Sequence, residues 1–98
     1  MSLSNVKSEL ESRLKFAPPL NHTVAIDLGD DGKLFIAGDN TVSEDEIADP
    51  ETTLTLSLET MQKIATGQSD PNMAVLMGKL KVSGKMGVAL KLAGYLGD

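Results

Sequence analysis

The feature that most restricts how this chain can fold is its last apolar stretch, Met86 to Leu96. With about 100° of rotation per residue, Met86, Leu90, Ala93, Ala89, Leu96, Leu92 and Val88 spread over roughly 200° of helix surface, and only Lys91 and Tyr95 interrupt them. An ordinary surface helix needs an apolar stripe of about 100°. The N-terminal segment serves as a control: Leu3, Val6, Leu10 and Leu14 fall within roughly 80°, with Lys7, Glu9, Glu11 and Arg13 elsewhere. The first helix therefore has one apolar contact and the last has two. Either the last helix is buried on both sides within the domain, or something else covers its second flank.

The 98 residues suffice for a single domain, 1–98, that buries roughly 60–70% of its unfolded surface. No cysteine is present, which excludes disulfides, thiolate catalysis and cysteine-ligated metals. There is no run of 18 or more apolar residues. The opening Met1-Ser2-Leu3-Ser4-Asn5-Val6-Lys7 lacks the basic flank and apolar block of a signal peptide. A soluble, cytoplasmic protein is expected.

The net charge of −5 is unevenly placed. From Asp27 to Glu51 there are nine carboxylates against Lys33 alone, whereas from Pro71 to Gly97 there are four lysines and no acid. Nucleic-acid binding is disfavoured, because it relies on a dense basic footprint and stacking aromatics, and Phe16, Phe35 and Tyr95 are the whole aromatic supply. Lys79, Lys81, Lys85 and Lys91 instead suit weak steering of a phospholipid, an acyl-CoA or a membrane surface, or protection of an edge strand against aggregation.

Along the chain, Ser2 or Ser4 caps the first helix, which should stop before Pro18-Pro19. Thr23 to Leu28 alternates as a half-buried strand, Gly29-Asp30-Asp31-Gly32 turns, and Leu34 to Ala37 returns as the second strand of a hairpin. Thr41 to Ser43 is a weak third strand, and the acidic Glu44 to Glu51 a surface connection. Thr53 to Ser57 alternates most clearly. Ser57 then caps a helix with Met61, Ile64 and Ala65 on its inner face, ended by Gly67. Asp70-Pro71 starts a short helix with Met73, Ala74, Leu76 and Met77. Gly78 ends it, Lys79 to Ser83 is the fifth strand, and Gly84 turns the chain into the last helix. The order α-β-β-β-β-α-α-β-α predicts an α+β fold, a five-stranded mostly antiparallel sheet covered on one face by helices.

Catalytic chemistry finds little support. His22, the single histidine, allows no histidine pair for a metal and is expected to be solvent-exposed or locally bonded. Asp30-Asp31 and Glu44-Asp45-Glu46 lie in polar turns with no apolar surroundings to raise a pKa. Ser83 beside Gly84 lacks the nucleophile-elbow context and a base partner. No cofactor, metal or enzymatic activity is expected.

The run Ala65-Thr66-Gly67, then Pro71, then Gly78 through Lys85-Met86-Gly87 to Leu92 resembles the C-terminal signature of the sterol-carrier-protein-2 family, and Asp49 to Leu56 is similar to its preceding segment. The likeness spans Asp49 to Leu96. It implies an apolar cavity between sheet and helices that holds a sterol, fatty acid, fatty acyl-CoA, isoprenoid or phospholipid without altering it. By matching element, Ile64, Met73, Leu76, Met77, Leu80, Val82, Met86, Leu90 and Ala93 are expected to line this tunnel. Flexible methionines at 61, 73, 77 and 86 suit an adaptable site. Gly87 and Gly94 weaken the last helix, which is then expected to act as a movable lid. The rival reading is an interaction or accessory module whose last helix docks on a partner enzyme or a second subunit.

Overall fold

The computed structural model describes residues 2–96. Ser2 caps the first helix, α1 (Leu3–Leu14), by accepting the Asn5 amide, and Val6, Leu10 and Leu14 are its buried stripe. β1 (Val24–Asp27) and β2 (Lys33–Ile36) form an antiparallel hairpin through a 3-10 turn at Gly29–Asp31. β3 (Val42–Ser43) adds to β2, and β4 (Thr52–Leu56) runs parallel to β1 on its other side. α2 (Leu58–Ala65) is capped by Ser57, and α3 (Pro71–Leu76) by Asp70 with Pro71 in its first turn. β5 (Leu80–Gly84) pairs antiparallel with β4, and α4 (Met86–Leu96) closes the described chain.

The sheet order is β3-β2-β1-β4-β5, antiparallel except at the β1–β4 pair. The four helices supply Val6, Leu10, Leu14, Met61, Ile64, Ala74, Val88 and Leu92 to one core with Val24, Ile26, Leu34, Ile36, Leu54 and Leu56 of the sheet. The expected α+β architecture and element order therefore hold.

One expectation needs correction. The first strand is not half-buried: Val24, Ala25 and Ile26 are all buried. Ala25 and Phe35, cross-strand partners, lie on the face away from the helices, and Ile47 and Pro50 of the acidic connection border the same surface. That connection thus shields the middle of the second face, so successive residues of β1 are withdrawn from water on both sides. No helix among the described residues is long and apolar enough to cross a membrane.

Candidate functional site

The last two strands set the floor of an apolar cleft. Alternation puts Leu54 and Leu56 on one side of β4, and the antiparallel register places Val82 and Leu80 directly beside them. Met61 and Ile64 of α2 form the inner end, Pro71, Asn72 and Val75 of α3 one wall, and Met86, Ala89, Leu90, Leu92, Ala93 and Leu96 of α4 the other. Asn72 is the one polar side chain in this lining.

α4 divides its wide apolar arc as two separate contacts require. Val88, Ala89, Leu92 and Leu96 are buried, while Met86 and Leu90 remain 50% and 56% exposed. The helix is therefore packed on one apolar flank and uncovered on the other, with the cleft between them. As it stands the cleft is narrow, with about 40 Å³ of room for water. Ordinary ligand pockets measure roughly 300–1,000 Å³.

Of the expected lining residues, Ile64, Leu80, Val82, Met86, Leu90 and Ala93 meet at this cleft. Met73, Leu76 and Met77 do not. Met73 and Met77 border a polar groove with Glu59, Lys63 and Lys79, and Leu76 points outward, 80% exposed. The reason is the phase of α3, which the buried Pro71 sets: Ala74 and Val75 follow it on the inner side, whereas residues 73, 76 and 77 lie roughly 120–160° away. Of the four methionines expected to form one adaptable layer, only Met61 and Met86 reach the cleft. Leu54, Leu56, Pro71, Val75, Ala89, Leu92 and Leu96 line it as well. Leu54 and Leu56 were signalled by the Thr-Leu-Thr-Leu alternation, and Val75 by its spacing of four from Pro71.

A polar cluster fixes the start of α4. Glu51 Oε1 lies 2.9 Å from His22 Nδ1 and accepts from Lys85 Nζ at 3.2 Å, and Oε2 accepts from the Thr23 amide at 3.3 Å. The hydrogen bond from His22, helped by Lys85, holds the Glu51 carboxyl well below its ordinary value of 4.5, at about 2. Ionised at neutral pH, it can only accept, so His22 Nδ1 carries the proton between them. His22 is thus tied to a residue far along the chain, not bonded locally. The Lys85 amide also donates to the Glu51 carbonyl at 3.0 Å. Further along, Lys91 Nζ donates to the Leu20 carbonyl at 3.1 Å, which draws the polar side of α4 onto the segment before β1.

Comparison with known proteins identifies the architecture. The model of the SCP-2 sterol transfer family matches residues 3–97. Among solved structures, the crystal structure of Sterol Carrier Protein 2 Like 2 from Aedes aegypti superposes with a TM-score of 0.82 at 21% identity, covering 96% of this chain and 95% of that one. Sterol Carrier Protein-2 from Aedes aegypti, solved in complex with the C16 fatty acid palmitate, gives a TM-score of 0.76 at 24% identity, with 98% and 96% coverage. The UbiJ-SCP2 ubiquinone synthesis protein gives 0.71 at 15% identity, with 96% and 87% coverage. No curated protein matches the sequence.

Proposed function

This chain belongs to the SCP-2 sterol transfer family, and from that premise we propose that it binds and carries a lipid hydrocarbon, without altering it chemically, in the cleft between α3 and α4. The observation that carries this reading is the divided helix α4, whose outer flank of Met86 and Leu90 stays exposed beside an almost wholly apolar hollow. An apolar cleft of this kind suits a hydrocarbon and leaves a charged head group at its mouth, since none of its lining side chains is ionisable. The palmitate complex of the Aedes aegypti neighbour agrees with an acyl chain as the occupant.

A fatty acid or fatty acyl-CoA with a 14–16-carbon chain is the preferred ligand class, and flat sterol-like or isoprenoid hydrocarbons share the same chemistry. Each buried methylene is worth about 0.8 kcal/mol. Such a chain is larger than the room in the closed cleft, so α3 and α4 must part to admit it. The gain from covering Met86, Leu90 and Val75 offsets part of the work of parting them.

Titration of the delipidated protein with saturated fatty acids of 12, 14, 16 and 18 carbons tests the reading. Affinity is expected to rise with length by about two- to fourfold per added methylene until the cleft is filled. Absence of binding by any of these acids, or by a sterol, would falsify it. A concentration-dependent dimer dissolved by Leu90→Asp, together with no lipid uptake, would establish the docking-module reading instead.

A further inference from the structure

The chain has no cysteine, so its methionine thioethers are the sulfur atoms it offers to an oxidant. Of its five methionines, Met1 lies outside the described residues, and the fold sorts the other four. Met61 is 1% exposed and packed at the inner end of the cleft. Met73, Met77 and Met86 are each exposed by half or more. Met73 and Met77 border the polar groove outside α3, where an added oxygen stays in water. Among the described methionines, Met86 alone both lines the apolar cleft and stands half in solvent. An oxidant reaches it from outside, and the product faces the place where hydrocarbon would lie.

Hydrogen peroxide suffices as the oxidant. The Met86 Sδ lone pair attacks one peroxide oxygen, the S–O bond forms as the O–O bond breaks, and the departing hydroxide takes the proton from the transferred oxygen and leaves as water. Sulfur loses two electrons and peroxide gains them. A dithiol reverses the change through a methionine sulfoxide reductase, giving thioether, disulfide and water. The sulfoxide is polar, whereas the cleft residues of α4 beside it, Ala89, Leu90, Leu92, Ala93 and Leu96, are all apolar. Asn72, the one polar side chain of the lining, belongs to the opposite wall. Nor can residue 86 withdraw, because Lys85 before it is tied to Glu51 through both its amide and its Nζ. An acyl chain in the cleft covers Met86 and would there meet a polar group without a partner, a cost that falls on the loaded protein and not on the empty one. We propose that Met86 is a reversible oxidation site that gates lipid uptake: its sulfoxide closes the cleft to hydrocarbon, and a bound acyl chain in turn shields the sulfur from peroxide. The proposal rests on the lipid-binding reading of the same cleft.

Peroxide treatment of the delipidated protein, read by peptide mass spectrometry and by palmitate titration, tests it. Met73, Met77 and Met86 are each expected to gain one oxygen, while Met61 stays unmodified as long as the fold is intact. Saturating palmitate should slow oxidation of Met86 by about fivefold or more and leave Met73 and Met77 unaffected. The oxidised protein should bind palmitate about tenfold more weakly, and methionine sulfoxide reductase with dithiothreitol should restore the affinity. Met86→Leu, compared with the same variant before treatment, should lose nothing to peroxide. Met73→Leu with Met77→Leu, which alters no cleft-lining residue, should lose as much as the wild type. Undiminished uptake by protein fully oxidised at Met86 overturns the gate and spares the cleft. So does a loss that persists in Met86→Leu or disappears in the Met73 and Met77 double variant, and so does palmitate protection shared equally by all three exposed methionines. No palmitate uptake by the untreated protein overturns the lipid-binding reading, and the gate with it.

Discussion

Gly84 links the last strand to the last helix through a conformation that other residues rarely adopt, φ +97°. A Cβ there would sit 2.5 Å from the carbonyl oxygen of Glu51, the residue preceding β4, and 3.0 Å from Cα of Thr52, its first residue, both backbone atoms. Gly84→Ala is therefore expected to destabilise the fold by about 2–3 kcal/mol, measured by denaturant unfolding, and a loss below about 0.5 kcal/mol would contradict the packing described. Glu51 has a pH signature. Its carboxyl is lowered from 4.5 to about 2 in the folded protein, so the stability it provides is fully present above pH 4.5 and is lost as pH falls through about 2. Glu51→Gln should lower the melting temperature at neutral pH, and the gap from wild type should close between pH 4.5 and 2. A gap independent of pH would mean that the carboxylate is not ion-paired. The turn at Gly84 was legible in the sequence because glycine punctuates strands, but the His22–Glu51–Lys85 cluster was not. Its members are separated by 29 and 34 positions, and only the parallel β1–β4 pairing and the adjacent β5 bring them together.

At the scale of elements, the arc of α4 was readable because helical rotation alone shows how many neighbours a helix needs. The placement of α3 was less so: its six residues span under two turns, too few for periodicity to fix a phase, and the buried ring of Pro71 decides it. The burial of β1 on both faces escaped the sequence as well, because the acidic connection that covers Ala25 and Phe35 reads locally as solvated loop. For α4 as a lid, Gly87 and Gly94 matter. A Cβ at either meets nothing within 4 Å, so alanine fits without any shift of neighbours. Gly87→Ala with Gly94→Ala should raise stability by about 1–2 kcal/mol. If α4 must yield to admit lipid, the same change should slow ligand exchange. Hydrogen exchange would test the lid itself, with the amides of Val88 to Leu96 expected to open more readily than those of β1 and β4 and to gain protection on lipid binding. Protection equal to that of the central strands in both states would rule out a moving lid.

For the whole molecule, the sheet and α1 form a well-packed body, and the α3–β5–α4 end carries the narrow cleft, the exposed apolar rim and the lysines. The central claim is that hydrocarbon enters between α3 and α4. Methyl-resolved NMR of the delipidated protein titrated with palmitate addresses it most directly. Saturable shifts are expected at Val75, Val82, Met86 and Leu90, with little change at Met73 and Leu76, which share helix α3 but face away. Shifts confined to the polar groove at Met73 and Met77, or no saturable shift at any methyl group, would contradict the account.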